Sequence, residues 1–311
     1  MVEADLIGVV TVTYNSESVI PGFMDSLMQQ SYENFRLYVV DNASADESLR
    51  TIERYGSDKV ITIRNSINVG VAEGNNIGIQ SAITDGCSYI LLINNDTVFG
   101  TDLLAGLVRD LCRSGCDMIV PKILFFDDPS KIWCAGGYFS RITSTSRHIG
   151  YGEEDEGQFD HPCLIAYSPT CCMLIKSPIF QRVGLMDAKY FVYFDDTDFC
   201  YRAMRKGVSL LYSPSACLFH KVSSLTGGGE SEFTTRYCTR NHVYFLLKNL
   251  TFWKSTFYLA VFQVRLLGKC IVLRHSLSLL WRAQKAFWEG IRLFRSNGSI
   301  SLTRNELERQ P

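Results

Sequence analysis

The hydrophobic pattern of the first hundred residues alternates between short apolar runs and longer segments with helical spacing of apolar positions. Four of the runs are rich in branched or aromatic residues, as buried strands are. These predicted strands lie at 7–13, 35–40, 60–63 and 89–93. Strands that alternate with helices through short connections are typical of βαβ units. The pattern therefore predicts an α/β fold with a Rossmann-like, mostly parallel sheet that has helices on both faces.

The alternation becomes less regular after residue 117. Further apolar runs predict strands at 118–120, 173–175 and 208–212. For the first two of these an antiparallel orientation stays open. The stretch 140–162 is polar and contains glycine, so we expect a surface excursion or a hairpin there.

The last eighty residues differ from the rest of the chain. A glycine-rich loop at 223–230 is followed by helical periodicity from Phe233 onward, and beyond Gly298 we expect a frayed tail. We therefore predict two regions, an α/β domain at 1–230 and a helical, basic region at 231–311.

Composition supports a globular protein and shows one marked charge asymmetry. Hydrophobic residues make up 46% of the chain and charged residues 20%, and the formal net charge is −1. This balance argues against general nucleic-acid binding. Residues 251–298, however, contain eight Lys or Arg and a single Glu. Aromatic-rich helices with a cationic face can lie on an anionic membrane surface, pack on the catalytic domain, or form a homodimer interface.

The cysteines and the first residues bear on the cellular compartment. None of the eleven cysteines forms a paired CxxC motif, and the N-terminus shows no secretory signal pattern. We therefore expect reduced thiols and a cytoplasmic protein, peripheral on the cytoplasmic face of the membrane if the basic helices bind lipid. The longest uncharged apolar stretch, 255–264, is shorter than the about 20 residues that a spanning helix needs.

Polar residues follow each of the first four predicted strands. They are Thr13, Asp41, Asn65 and Asp96. In an open parallel sheet, ligands bind just beyond the carboxyl ends of the strands, so we expect the site at this edge. Asp96, preceded by Asn94 and Asn95, suits a divalent cation that takes its other ligands from phosphates and water. A simple turn that caps the next helix stays open as the alternative.

Two further groups at this edge are candidates for contacts with the phosphate and base of a nucleotide. Asp41 could accept the N3–H of a uracil or thymine ring, or act only as a turn residue. Asn68 and Gly70 lie at a strand-to-helix turn, followed by Asn75. Gly70 begins a series of glycines spaced four apart, which is not the G-x-G-x-x-G pattern of dinucleotide folds. These glycines suit either phosphate contacts or close packing of the helix on the sheet.

A second acidic group lies about one hundred residues later. Asp195, Asp196 and Asp198 are surrounded by aromatic residues, a setting that can raise a carboxyl pKa and produce a general base. The alternative is an acidic helix N-terminus. His220 follows the last predicted strand, where it is either a metal ligand or a structural histidine.

Five motifs with these residues occur in a family order. They span 12–16, 40–44, 68–78, 92–97 and 191–202. Together they resemble family 2 glycosyltransferases of the rhamnosyltransferase- and galactofuranosyltransferase-like branch. The resemblance covers about residues 6–242, and it implies the GT-A fold and inverting sugar transfer.

The resemblance also implies roles for individual residues. Donor binding falls to Thr13, Tyr14, Asn15, Asp41, Asn42, Asn68, Gly70, Asn75, Asn94 and Asn95. Asp96 and His220 are the implied ligands of Mn²⁺ or Mg²⁺. Asp196 matches the catalytic base, with Asp195 as its pair, and Asp198, Arg240 and Asn241 fall on the acceptor side. Asn94-Asn95-Asp96 replaces the family's DXD, and Asp195-Asp196 replaces a Glu-Asp pair.

The function implied is transfer of a rhamnose- or galactofuranose-like sugar from a UDP- or dTDP-sugar to a hydroxyl of a glycan or lipid-linked acceptor, in cell-surface polysaccharide synthesis. One alternative is a nucleotide-sugar or carbohydrate-binding protein without catalysis. Another is a sugar nucleotidyltransferase, which needs a basic glycine-rich loop near the N-terminus. Residues 14–20 contain no Lys or Arg, which disfavours it.

Overall fold

A computed structural model describes residues 5–222, 231–272 and 277–296 of the chain. The strands are β1 (Ile7–Thr13), β2 (Phe35–Asp41), β3 (Val60–Arg64), β4 (Tyr89–Ile93), β5 (Thr97–Phe99), β6 (Met118–Phe125), β7 (Ile132–Cys134), β8 (Gly137–Phe139), β9 (Ser146–His148), β10 (Cys163–Ile165), β11 (Cys172–Lys176) and β12 (Leu210–His220). The helices are α1 (Ile20–Met28), α2 (Ser48–Glu53), α3 (Gly70–Thr84), α4 (Leu103–Ser114), α5 (Pro178–Val183), α6 (Asp195–Arg205), α7 (Glu232–Asn249), α8 (Phe252–Val272) and α9 (Leu277–Arg295).

The main sheet has the order β10-β12-β6-β11-β4-β1-β2-β3. Its first-half strands, β3, β2, β1 and β4, are mutually parallel, which confirms the α/β prediction. They are nearly continuous apolar runs because helices cover both faces of the sheet.

The second half of the sheet is mixed. β11 is antiparallel to both β4 and β6, whereas β6 and β12 are parallel to each other. The sequence predicted that His220 follows the last strand. In the structure β12 extends to His220, which is the last residue of that strand. The polar excursion begins in the turn of the β8–β9 hairpin and contains β9.

Alternate residues of the strands enter two cores. Ile7 and Val9 of β1 pack with α1 and α4 on one face of the sheet. Val10 packs with α3, α5 and α6 on the other. This alternation follows from the period of two in an extended strand.

A third apolar cluster joins the C-terminal helices to the α/β region. It contains Tyr190, the buried face of α7 and Leu293 of α9. At Gly290 of α9, a Cβ atom would lie 2.5 Å from the carbonyl oxygen of Arg240, so α7 and α9 are in backbone contact. No helix among the described residues has the length and apolar character needed to cross a bilayer. The predicted boundary at residue 230 and the predicted tail lie outside the described residues.

Candidate active site

The parallel strands bring their polar end residues together at one edge of the sheet. Thr13, which ends β1, lies opposite Asp41, which ends β2. The Nδ2 atom of Asn95 donates to Thr13 Oγ1 at 3.1 Å and to the Val12 carbonyl at 3.2 Å. Asn95 therefore ties the end of β4 to β1, while Asn94 is exposed.

The loops after β1 and β2 hold Asp41 between them. Both Asp41 carboxylate oxygens accept from the backbone N–H of Ser44, at 3.2 and 3.3 Å. Asn15 (φ 48°) accepts from the Ala45 N–H at 2.8 Å, and Ala43 also has a positive φ of 61°. Non-glycine residues in this region are uncommon and concentrate at functional sites. Asp41 therefore sits on a rigid, locally strained support.

The N-terminus of α3 is occupied by protein groups. The Gly70 N–H donates to Asn68 Oδ1 at 2.9 Å, and the next two helical N–H groups donate to the carbonyl of Phe191 at 2.6 and 3.3 Å. Asn42 Nδ2 donates to the Gly70 carbonyl at 3.1 Å. These three amides therefore already have acceptors, and in this conformation they are not available to a phosphate.

Gly70 instead permits a close approach between α3 and the loop before α6. It has φ +84°, and a Cβ atom there would lie 2.5 Å from the Phe191 carbonyl oxygen. Further along α3, Asn76 exchanges hydrogen bonds with the backbone of Met186, both at 2.9 Å. Asn75 Nδ2 lies 3.7 Å from Met186 Sδ. Asn75 therefore contacts this same loop region rather than the residues at the strand ends.

Asp96 and His220 form a close, buried pair. Because β5 pairs antiparallel with β12, His220 lies opposite Thr97, next to Asp96 in the chain. His220 Nε2 is 3.2 Å from Asp96 Oδ1, and each residue is less than a tenth exposed. Burial alone would lower the pKa of His220, but the neighbouring Cys171 and Asp96 raise it. A cation bound to the pair would replace this proton, because only neutral imidazole binds a metal.

The chemistry and spacing of this pair fit a divalent cation. Carboxylate oxygen suits Mn²⁺ or Mg²⁺, and imidazole is a common metal ligand. Two ligands at right angles on an octahedral ion, with bonds of about 2.1 Å, are about 3 Å apart. Within the described residues no group of three His, Cys, Asp or Glu side chains could hold a metal. The remaining ligands would therefore come from substrate phosphates and water.

A set of aromatic side chains, here called the aromatic cluster, joins this pair to the second acidic group. Its members are Trp133, His148 and Tyr167. The Trp133 ring lies 4.4 Å from that of His220 and 4.7 Å from that of His148, which stacks on Tyr167 at 5.9 Å. The Tyr167 hydroxyl donates to Asp196 Oδ2 at 3.0 Å. Asp96 with His220 and Asp196 therefore border one continuous cluster, although they are far apart in sequence.

The two carboxylates that open α6 have different surroundings. Burial and the charge of Asp196 raise the pKa of Asp195 to about 8. Burial also raises the pKa of Asp196, but hydrogen bonds from Tyr167 and Thr197 oppose that rise. The Thr197 N–H donates to Asp196 Oδ1 at 2.5 Å. When the pair holds one proton, it therefore resides on Asp195, and the partly exposed Asp196 is the carboxylate.

Asp198 lies in the interior rather than in an open cleft. It is 0% exposed and accepts from Tyr190, Arg202, Lys248 and Asn249 at distances of 2.7 to 3.2 Å. This placement favours a role in joining α6 to α7 over the predicted acceptor-side role.

The loop that leads into α6 has an unusual backbone. Phe191, Tyr193 and Phe194 have φ values of 65°, 62° and 69°. Such conformations cost about 1–3 kcal/mol each and persist only when the surroundings enforce them. The residues immediately before the candidate base are therefore held under strain.

Two residues of α7 hold this strained loop. Asn241 Nδ2 lies 2.7 to 2.9 Å from the carbonyl oxygens of Tyr190, Val192 and Tyr193. Arg240 donates to the Tyr190 carbonyl at 2.7 Å and to Asn241 Oδ1 at 2.8 Å. Both are buried, so the structure places them behind the loop that precedes Asp196.

Trp133, His148 and Tyr167 were not among the predicted site residues. Trp133 and His148 lie in the three-residue strands β7 and β9, and Tyr167 lies just after β10. In such short strands neither helical nor strand periodicity is clear. Tyr14, a predicted donor-binding residue, is half-buried in the loop after β1. The structure thus collects Thr13, Asn15, Asp41 and Asn42 at the strand ends, with Gly70 and Asn68 beside them.

Comparison with known proteins identifies relatives of the chain. A family model described as glycosyl transferase family 2 matches residues 8–184. The low-salt glycan biosynthesis hexosyltransferase Agl10 of Haloferax volcanii is 23% identical over 258 residues, 81% of this chain and 78% of that protein. The N-acetylglucosaminyl-diphospho-decaprenol L-rhamnosyltransferase of Mycobacterium tuberculosis is 20% identical over 275 residues, 81% of this chain and 87% of that protein.

A solved structure has the same fold. The crystal structure of GalNAc-T7 with UDP, GalNAc and Mn²⁺ superposes with a TM-score of 0.59 at 16% identity, covering 79% of this chain and 52% of that one. At this identity the similarity concerns the fold alone.

Proposed function

Because the chain belongs to glycosyl transferase family 2, we propose that it transfers a sugar from a nucleotide-sugar donor to an acceptor hydroxyl with inversion at the anomeric carbon. The observation that carries this proposal is the aromatic cluster, which contacts the Asp96–His220 pair at one end and Asp196 at the other. A leaving-group site and a base on one cluster are the two parts that such a transfer needs.

In the proposed reaction Asp196 removes the proton of the acceptor hydroxyl while its oxygen attacks the anomeric carbon. The bond from that carbon to the diphosphate breaks, and the nucleoside diphosphate leaves with the electron pair. Tyr167 and Thr197 hold the Asp196 carboxylate by hydrogen bonds, and Asp195 retains the other proton of the pair. General-base assistance of this kind contributes about 10²–10⁴-fold.

Asp96 and His220 would hold a Mn²⁺ or Mg²⁺ ion beside the donor diphosphate. The chemistry supplied there is neutralisation of the charge that develops on the leaving oxygen. Asp41 and Asn15 are the residues we propose for the nucleoside end of the donor, because they lie on the rigid loops after β1 and β2.

For the substrates we propose a UDP- or dTDP-sugar with a rhamnose- or galactofuranose-like sugar, and a glycan or lipid-linked acceptor in cell-surface polysaccharide synthesis. The name of the mycobacterial relative, a rhamnosyltransferase acting on a diphospho-decaprenol, supports this choice. We place the reaction at the cytoplasmic face of a membrane. A homodimer through the C-terminal helices stays an untested alternative to membrane binding.

The test of the donor is a panel of UDP-, dTDP- and GDP-sugars incubated with the full chain and Mn²⁺. We expect slow hydrolysis or transfer with one UDP- or dTDP-sugar. Donor binding without turnover for every sugar and acceptor tested would instead identify a binding protein, and release of pyrophosphate from a nucleoside triphosphate would identify a nucleotidyltransferase.

Replacing the proposed cation ligand gives a test that does not depend on activity. In Asp96→Ala we expect calorimetric affinity for the nucleoside diphosphate to lose its dependence on Mn²⁺, because one of two protein ligands is missing. Asp102→Ala, which removes an exposed carboxylate between β5 and α4, is the matched control. Unchanged Mn²⁺ dependence in Asp96→Ala would place the cation elsewhere.

A further inference from the structure

The outer face of α8 exposes a stripe of apolar side chains. Trp253, Phe257, Val264 and Leu267 are 79%, 61%, 70% and 48% exposed. Their spacing of four, seven and three residues places them on one side of a helix. Exposed apolar residues grouped in this way mark interaction surfaces.

The outer face of α9 carries a related stripe in which aromatic and basic residues alternate. Trp281, Lys285, Trp288, Arg292 and Arg295 follow the same spacing, and all five are exposed. Lys285 Nζ lies 5.8 Å from the centre of the Trp281 ring. Tryptophan and long basic side chains together are the residues that occupy the boundary between lipid headgroups and acyl chains.

The inner faces of both helices are already used. Phe262 of α8 stacks on Phe287 of α9 and also contacts His242 of α7. Gln263 and Gln284 hydrogen-bond across the two helices, at 2.6 Å from Gln284 Nε2 to Gln263 Oε1. The two stripes therefore face away from α7, and the described residues leave them open to solvent.

The charge of this surface selects its partner. Lys254, Arg265, Lys285, Arg292 and Arg295 have no acidic partner among the described residues, whereas Glu289 is paired with Arg236. A second copy of the same face would bring like charges together, which disfavours self-association. An anionic surface with an apolar interior matches both the basic and the aromatic residues.

We propose that the outer faces of α8 and α9 form a docking surface for an anionic lipid bilayer. The aromatic side chains enter the headgroup region, and the lysine and arginine side chains contact lipid phosphates. The surface acts by peripheral binding, in which the helices lie along the bilayer.

The docking surface also adjoins the catalytic region. The Tyr258 hydroxyl of α8 donates to the carbonyl of Arg141 in the β8–β9 turn at 2.8 Å, and the next residue, Ile142, is 72% exposed. The same hairpin reaches α6, where Ser146 and Thr197 hydroxyls are 2.9 Å apart. Docking would thus bring a lipid-linked acceptor near Asp196. This last step rests on the proposed transfer, whereas docking itself does not.

Vesicle sedimentation of the full chain tests the docking surface without any sugar nucleotide. We expect binding to vesicles of phosphatidylcholine with 30% phosphatidylglycerol, and little binding to phosphatidylcholine alone. The double variant Lys285→Ser with Arg292→Ser should bind the anionic vesicles about 25-fold more weakly, at about fivefold per basic residue. The control Arg54→Ser with Arg113→Ser removes the same charge from exposed positions, one directly after α2 and one on α4, and should bind as the unmodified chain does.

Tryptophan fluorescence provides a second measurement. Three of the four tryptophans belong to the stripes, and the fourth, Trp133, belongs to the aromatic cluster. Brominated phosphatidylcholine in the anionic vesicles should quench the unmodified chain but not the variant in which Trp253, Trp281 and Trp288 are all Phe.

Three results would overturn the proposal. The first is equal binding to neutral and anionic vesicles. The second is an equal loss of binding in the Arg54 and Arg113 control. The third is a chain that does not bind vesicles but forms dimers, if Lys285→Ser with Arg292→Ser dissociates those dimers. Vesicle binding as expected, with no sugar transfer to any acceptor, would count against the proposed reaction and leave the docking surface intact.

Discussion

The two carboxylates that open α6 differ in solvent access and in hydrogen bonding. Asp195 is 4% exposed and has a pKa raised to about 8, so it holds a proton at neutral pH. Asp196 keeps part of its surface accessible and accepts three hydrogen bonds from Tyr167 and Thr197. Neighbouring acids whose environments separate their pKa values commonly divide the roles of proton holder and proton acceptor.

The residue with the largest expected effect on catalysis is Asp196. We expect Asp196→Asn to lower the transfer rate by about 10²–10⁴-fold, because an amide cannot take the acceptor proton. Donor affinity measured by calorimetry should be retained. Asp195→Asn is the matched control and should keep most of its activity, since an amide resembles the protonated acid. If Asp195→Asn is the more damaging change, the base is Asp195.

Asp195 should also make the folded state sensitive to pH. Its pKa is raised to about 8 in the folded chain and is about 3.9 when unfolded, so between these values the folded state binds more protons. Its contribution to the free energy of unfolding therefore falls as the pH rises from 4 to 8. The free energy of unfolding of Asp195→Asn, relative to that of the unmodified chain, should therefore increase by about 2–5 kcal/mol between pH 4 and pH 8, as measured by urea unfolding.

The control for this prediction is the exposed residue Asp58. Asp58→Asn makes the same change in net charge outside the interior, and we expect no comparable gain in unfolding free energy as the pH rises. A gain of equal size in both variants would show that net charge, and not burial of Asp195, is responsible.

At the scale of single elements, the short loop from Tyr190 to Phe194 is defined by the helix that packs behind it. The loop has three positive φ values outside glycine, and its carbonyls accept from Arg240 and Asn241 of α7. The Phe191 carbonyl also caps α3. The loop is therefore held from two sides, and both contacts act on the residues directly before Asp195 and Asp196.

Asn241 tests whether this support matters for catalysis. Asn241→Ala removes the donor to three loop carbonyls, so the loop should relax and Asp196 should move from its place. We expect kcat to fall about 10- to 100-fold with the donor dissociation constant unchanged, because small displacements at a reacting centre have effects of this order.

Asn249→Ala is the matched control, since Asn249 lies on the same helix and donates to Asp198 rather than to the loop. It should lower stability without this selective loss of kcat. Equal losses of kcat in the two variants would mean that Asn241 serves only to stabilise α7.

The elements that could be predicted from sequence are those whose neighbours are close along the chain. β1 to β4 and the helices between them were predicted because each strand is a continuous apolar run and each connection is short. The position of His220 could not be predicted in the same way, because β12 extends only through pairing with β5 and β6, which lie about one hundred residues earlier.

The same reason separates the predicted from the unpredicted parts of the site. Asp96 and Asp196 stand in motifs, but Trp133 and Tyr167, which connect them, lie in segments with no clear periodicity. Gly70 was predicted to contact the donor, and its observed contact with Phe191 depends on a loop 121 positions later. No local pattern carries such information.

At the scale of the whole molecule, one buried lysine anchors the polar excursion to the sheet. Lys122 of β6 is 5% exposed, and its Nζ atom is 2.9 Å from both carboxylate oxygens of Asp155 and also contacts Asp160. The excursion contains β9, and thereby positions His148 of the aromatic cluster. This ion pair therefore connects the periphery of the fold to the site.

Removing this anchor should loosen the excursion. We expect Lys122→Met to lower the free energy of unfolding by about 1–3 kcal/mol, less than for a fully buried pair because Asp160 is largely exposed. Hydrogen exchange should increase in residues 150–162. The control is Lys131→Met, whose pairing with Asp128 is at the surface, so we expect a smaller loss of unfolding free energy. Equal effects would exclude Lys122 as the anchor.

The backbone contact at Gly290 has a consequence for how much of the chain an active fragment must include. Gly290 touches the carbonyl of Arg240, and Arg240 in turn holds the loop before the base. A fragment ending at residue 250 would keep every side chain proposed to touch substrate, yet it would leave one side of α7 bare. Such a truncation should retain nucleotide affinity and lose turnover, so the C-terminal helices count as part of the catalytic unit rather than as a detachable anchor.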